Sequence, residues 1–150
     1  MFIKEKMPLI FGLPSEVFLD SLKEKRVFVA ELRPDLLGMK PLAEELLKKR
    51  IQPVVICDNM VAFCMERGLV SAAHIFCEAK NEKTGLCRTG SLIVALCAQY
   101  HHIPVYLHQA RAAKNKQSSL LKIAGMKVTA QNIKTYVPFL EEVPLELVYG

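Results

Sequence analysis

The chain has 150 residues, 51% of them apolar and 23% charged, with a formal net charge of +5. That length supports one well-buried core and falls short of two ordinary domains, and no stretch approaches the roughly 18 consecutive apolar residues of a membrane-crossing helix. The opening Met1-Phe2-Ile3-Lys4-Glu5-Lys6 lacks the order of a signal peptide, so the expectation is one domain, 1–150, in the cytoplasm, without a membrane partner.

The apolar run Pro8-Leu-Ile-Phe11 followed by Gly12 predicts a first strand and turn. Ser15 can cap a helix over 15–22 whose apolar face carries Phe18, Leu19 and Leu22. Val27–Glu31 predicts a second strand. Lys40–Lys49 predicts a helix with Pro41 in its first turn and cations in its last. Ile51–Cys57 predicts a third strand, and its unbroken apolarity points to burial on both faces, as in a parallel sheet. Asp58 can cap a helix running to Arg67, which Gly68 closes. Ala72–Cys77 and Ile103–His108 predict two more strands, with an uncharged helix, Ser91–Tyr100, between them. That helix has no polar stripe, so either the protein or a partner covers it; a homodimer is the second of these readings. The tail from Met126 mixes apolar residues with Pro138 and Pro144 and reads as a short strand and an extended segment packed on the domain.

Strands alternating with helices predict an α/β fold: a doubly wound, mostly parallel sheet with helices on both faces. Each strand ends in a polar cluster: Glu31-Leu-Arg33-Pro34, Asp58-Asn59-Met60 and Glu78-Ala-Lys80, with Arg88-Thr-Gly90-Ser91 leading into a helix. Open α/β sheets bind ligands beyond the carboxyl ends of their strands, where such clusters meet. The candidate ligand-binding residues are therefore Gly12, Glu31, Arg33, Asp58, Asn59, Lys80, Arg88, Gly90 and Ser91. Gly85 and Gly90 flank a loop able to offer backbone amides to a phosphate. Against these stand plain structural readings: Glu31 pairing with Arg33, and Asp58 acting as a helix cap.

Five cysteines, Cys57, Cys64, Cys77, Cys87 and Cys97, include no Cys-x-x-Cys pair. Reduced core thiols fit them better than disulfides or zinc, and neither a metal nor a cofactor is expected. Cys87 is the exception, because it falls in a polar stretch where Arg88 and the following helix favour thiolate. His74 reads as a hydrogen-bonded core residue. His101 and His102 end a helix, where cations suit the dipole. The basic runs read as solvated helix faces, so nucleic acid is not expected as a partner; Arg111-Ala-Ala-Lys114-Asn-Lys116 reads first as a flexible surface loop, with a phosphate-holding basic loop as the alternative.

The order of the clusters resembles the C-terminal domain shared by the α, β and δ subunits of translation initiation factor 2B, methylthioribose-1-phosphate isomerase and ribose-1,5-bisphosphate isomerase. Glu31-Leu-Arg33-Pro34 with Gly38 is similar to that family's Glu-Ser/Thr-Arg-Pro…Gly segment, and Asp58-Asn59-Met60 to its Asp-Asn-Met. Arg88-Thr-Gly90-Ser91 resembles Lys-Ile-Gly-Thr, and the closing Tyr136-Val-Pro138-Phe139 and Pro144-Leu-Glu-Leu147 also match. The resemblance implies a Rossmann-like domain and a crevice for a phosphorylated small molecule. In the isomerases it implies a catalytic cysteine near the strand here formed by Leu9–Gly12, and an aspartate where this chain has Glu78. The first cysteine of this chain is Cys57, and Leu37 replaces the family's glutamine. The expectation is a divergent relative that binds a phosphorylated ligand without isomerase activity. Two alternatives stay open: an isomerase with relocated machinery, Glu78 as acid/base and Cys87 as its partner, or a regulatory module that self-associates through Ser91–Tyr100.

Overall fold

A computed structural model of the chain describes residues 4–111, 119–123, 125–128 and 132–149. In chain order the elements are β1 (Met7–Phe11), α1 (Glu16–Ser21), β2 (Arg26–Ala30), α2 (Ala43–Lys48), β3 (Gln52–Ile56), α3 (Val61–Glu66) and β4 (Val70–Lys80). They continue with β5 (Thr84–Arg88), α4 (Ser91–Tyr100), β6 (Val105–Gln109), β7 (Lys122–Ile123), β8 (Met126–Lys127) and β9 (Leu140–Pro144). Lys114 and Lys116 of the basic run lie outside the described residues.

Parallel pairing joins the strands in the order β3-β2-β1-β4-β6, and β5 and β9 extend the sheet antiparallel from β4. The strand order of this mixed, mostly parallel sheet reverses between β1 and β4, the kind of point at which open α/β sheets place a crevice. Side chains alternate between the faces. Leu9, Phe11, Phe28, Ala30, Ala73 and Ile75 pack under α3 and α4, whereas Ile10, Val27, Val29 and Phe76 pack under α1 and α2. Ser15 caps α1 as predicted, its Oγ accepting from the Phe18 amide at 3.3 Å. No helix among the described residues is long and apolar enough to cross a membrane.

Three readings of the sequence change. First, β3 is an edge strand, so Pro53, Val54 and Val55 are half-buried rather than covered on both faces. Second, 84–88 is a strand and not a loop. The hairpin turns at Asn81, whose Oδ1 accepts from the amides of Lys83 and Thr84 at 2.8 and 2.7 Å. Third, β4 runs on past Cys77 to Lys80. Cys77 faces Cys87 and Ala79 faces Leu86, so Glu78 is the extra residue of a bulge, the kind of irregularity that re-aims a side chain.

The connection from β2 to α2 folds back tightly on the strand it leaves. The Glu31 carbonyl accepts from the amides of Gly38 and Met39 at 3.1 and 3.4 Å, and Leu32 and Leu36 have φ of 57° and 55°. A Cβ on Gly38 would lie 1.8 Å from the Ala30 carbonyl oxygen, and backbone cannot yield that much. Gly38→Ala is therefore expected to cost on the order of 3 kcal/mol or more, lowering Tm by roughly 10 °C in a thermal melt; an unchanged melt would contradict the close approach.

His74 is hydrogen-bonded, as expected, but half-buried rather than a core residue. Its Nδ1 lies 2.9 Å from Nε2 of His108, and burial, with His108 beside it, pushes its pKa down to about 4 from 6.5. Because the folded state holds this imidazole neutral, its contribution to stability is present above pH 6.5 and is lost as pH falls towards 4. Urea midpoints are expected to drop across that window, and His74→Phe should flatten the slope.

Candidate functional site

At the carboxyl rim, Asp58 does something other than cap a helix. Its Oδ1 accepts from the Leu32 amide at 2.9 Å and its Oδ2 from the Arg33 amide at 2.8 Å, while no side chain caps the turn it begins or α3 after it. The helix-cap reading is corrected: the carboxylate ties the end of β3 to the loop leaving β2. Glu31 and Arg33 pair as the structural reading predicts. The Arg33 Nε donates to Glu31 Oε1 at 2.8 Å, with the glutamate side chain 6% exposed and the arginine 54%. A buried carboxylate needs such a partner.

Glu31, Arg33, Asp58 and Asn59 line one hollow of about 290 Å³, together with Cys57. Arg33 also borders a smaller hollow with Arg88, Thr89 and Phe139, so it links the ends of β2, β3 and β5. Arg88 lies over the Phe139 ring, 4.7 Å from its centroid, a cation–π contact. Burial lowers its pKa, and the charges of Asp35, Asp58 and Glu78 oppose that shift. Four of the predicted positions, Glu31, Arg33, Asp58 and Asn59, thus share one hollow, and Arg88 and Glu78 interact electrostatically beside it. Lys80 stands apart: it is exposed and pairs with Gly85 next to the hairpin turn. Gly12 follows β1 with φ of 120°, and a Cβ there would meet the Phe76 ring at 3.2 Å, which accounts for the glycine by conformation alone.

The amides before α4 are already engaged. Glu141 Oε1, on β9, accepts from the Gly90 amide at 2.7 Å and from the Leu92 amide at 2.8 Å. A carboxylate of the chain therefore occupies the positive end of this helix, and the expected phosphate cradle at Gly90 and Ser91 is corrected. Ser91 is fully buried, and its Oγ has no hydrogen-bond partner among the described residues. Glu141 lies about 50 residues from the amides it holds, and nothing local in the sequence signals the contact.

Cys87 is also corrected. Instead of a loop thiolate it is an interior residue of β5, 0% exposed, and burial first, then Cys77 and Glu141, pushes its thiol up to about 12. The thiol that reaches the rim is Cys57, exposed and lining the hollow with Asp58. Its position directly before Asp58-Asn59 at a strand end is the signal that could have found it. Among the described residues no group of three His, Cys, Asp or Glu side chains is placed to hold a metal ion.

A doubly wound domain with its charged residues gathered beyond the parallel strands is a ligand-crevice architecture. The sequence model of the Initiation factor 2 subunit family matches residues 15–149, and the chain belongs to that family. It is 31% identical over 137 residues to methylthioribose-1-phosphate isomerase of Chloroflexus aurantiacus, a match covering 81% of this chain and 40% of the relative. With the Crocosphaera subtropica isomerase it shares 28% over 141 residues, 83% of this chain and 41% of the relative. The chain thus spans about two-fifths of the length of these relatives. Among solved structures, translation initiation factor eIF-2B, subunit delta, from A. fulgidus superposes with a TM-score of 0.75 at 22% identity, over 96% of this chain and 51% of that one. 5-Methylthioribose 1-phosphate isomerase from Pyrococcus horikoshii OT3 gives 0.77 at 18%, over 96% and 49%. These structures share the fold.

Two measurements probe the rim. With a thiol-reactive disulfide reagent at pH 8, Cys57 should react first and half-buried Cys97 more slowly, with Cys64, Cys77 and Cys87 silent until denaturant is added. Rapid modification of Cys87 in the folded protein would contradict its burial. For the Asp58 bridge, Asp58→Ala should lower Tm by about 5 °C, and Asp58→Asn, which keeps one acceptor oxygen, by roughly half as much.

Proposed function

We propose that this chain is a divergent member of its family that binds a small phosphorylated molecule at the rim between β2, β3 and β5 and does not catalyse the isomerisation named for its relatives. The observation that carries the reading is that two arginines, Arg33 and Arg88, border one small hollow at the rim. Arginine presents planar, multidentate donors suited to phosphate. Arg33 is engaged by Glu31 through its Nε, and its side chain is 54% exposed at the rim. Glu31, Asp58 and Glu78 supply acceptors for the hydroxyls of a polyol. The lack of any cysteine before Cys57 supports the loss of the reaction, since the resemblance sets the isomerases' catalytic thiol near the end of β1. We place the protein in the cytoplasm.

A second reading rests on Cys57. Its thiol and the carboxylates of Glu31 and Asp58 line the same hollow, so an active isomerase with relocated machinery would use Cys57, with Glu78 exchanging the proton, rather than the interior Cys87. A third rests on α4, where Ile93, Leu96 and Tyr100 are exposed while Val94, Ala95 and Ala98 pack inward. That apolar outer face suits a homodimer.

One experiment separates the first two. Thermal shifts are read with methylthioribose-1-phosphate, ribose-1,5-bisphosphate and inorganic phosphate, and turnover is followed by a coupled assay. Saturating sugar phosphate is expected to raise Tm by roughly 5 °C through mass action, with the rise abolished in Arg33→Ala and Arg88→Ala and no turnover detected. Turnover lost in Cys57→Ser would favour the second reading, and no shift with any of the three would overturn the first.

A further inference from the structure

The positive charge of this chain is concentrated in one stretch. Between Glu82 and Glu141 there is no aspartate or glutamate, whereas eight lysines and arginines fall there, so the remainder of the chain carries more acids than cations. After β6 the described residues include an isolated hairpin, β7 and β8, which pair with each other apart from the main sheet. A two-stranded hairpin standing alone is marginally stable in water. Here Lys122 and Lys127 are direct cross-strand partners, and like charges placed opposite one another weaken a ladder further. Lys122, Lys127 and Lys134 are all exposed, and none of them forms an ion pair among the described residues.

The same segment keeps its large apolar side chains outside. Leu120, Val128 and Ile133 are exposed, Met126 is 70% exposed and Tyr136 87%. Apolar groups gathered at a surface in this way mark a place of contact. Lysines interleaved with exposed aliphatic side chains, with no acid among them, match a surface that is anionic at its face and apolar beneath. An anionic lipid leaflet has both properties. Nucleic acid is the poorer match, because its bases are met by aromatic or guanidinium planes, and the sequence from Ser119 to Tyr136 holds one tyrosine and no arginine.

From this pairing of charge and apolarity we infer that Lys122, Lys127 and Lys134, with the exposed apolar side chains that alternate with them along the chain, form a peripheral docking surface for an anionic phospholipid membrane. The ammonium groups meet the headgroups, which also relieve the repulsion between Lys122 and Lys127. Met126, Val128 and Ile133 enter the acyl boundary, and the Tyr136 ring lies at headgroup level. Such a contact needs no spanning helix, whereas the sequence expectation of no membrane partner concerned spanning and signal segments. It uses none of the rim residues proposed for phosphate, so the two readings stand or fall separately.

The test co-sediments the full chain with sucrose-loaded vesicles at pH 7.5 in about 0.1 M salt. The vesicles are either pure phosphatidylcholine or phosphatidylcholine with roughly one third phosphatidylserine. Each lysine near an anionic leaflet strengthens binding roughly fivefold, so the mixed vesicles should bind at least about tenfold more tightly, with the gain lost in about 0.5 M salt. Lys122→Gln combined with Lys127→Gln, exposed changes that should leave Tm no lower, is expected to weaken mixed-vesicle binding about tenfold. Met126→Ser combined with Val128→Ser should weaken it about fivefold while its salt dependence stays. No binding to the mixed vesicles, equal affinity for the two vesicle types, indifference to either pair of substitutions, or tighter binding to soluble oligouridylate or polyglutamate would each overturn the inference.

Discussion

The rim depends on a carboxylate spanning two strand ends. Asp58 leaves β3 and accepts hydrogen bonds from two successive amides, Leu32 and Arg33, just after β2. Those amides would otherwise end a strand without partners, and hydrogen bonds to a charged acceptor are stronger than neutral ones. With them fixed, the chain can turn back so that Gly38 rests against Ala30, and the Glu31 carbonyl closes the loop on Gly38 and Met39. The Arg33 side chain then emerges over Glu31 and borders both hollows. The positions of Glu31 and Arg33 follow from that bridge.

Several residues that look like site residues have architectural duties that account for them. Gly12 is required by its positive φ, Gly38 by a backbone approach, and Gly90 both by φ of 104° and by the Phe11 ring, 2.6 Å from where its Cβ would stand. Glu141 neutralises the amide end of α4 from a distant strand. A family motif can therefore persist in a chain for the sake of the fold whether or not the chemistry persists with it. Arg33, paired with Glu31, and Arg88, lying over the Phe139 ring, still border one hollow, with Glu78 at a bulge and Cys57 lining the hollow beside it. The functional proposal rests on those.

Much of the sheet was legible because it is built from local signals. Ser15 before an amphipathic stretch, Pro41 near a helix start, Gly68 after a helix and the runs read as ending at Phe11, Glu31 and Cys57, each within one residue of the observed strand end, mark their elements through conformational preference or burial. The failures share one cause. The segment Thr84–Arg88, with a glycine and two polar residues, has little strand character of its own; it is a strand because β4 and β9 pair with it on either side. Cys87 looked reactive beside Arg88 and a helix start, yet pairing turned it inward opposite Cys77. Asp58 looked like a cap because a carboxylate before a helix commonly is one, and the amides that claimed it lie 25 and 26 residues earlier.

The amino-acid sequence by itself determined the alternation of strands and helices and the polar clusters that follow β2 and β3, because periodicity and turn chemistry act over a few residues. Tertiary structure alone decided which carboxylate meets which amide, which cysteine faces solvent and where two histidines from β4 and β6 come within 2.9 Å. Such contacts join positions tens of residues apart, and their identity depends on strand order and register, which no local pattern encodes.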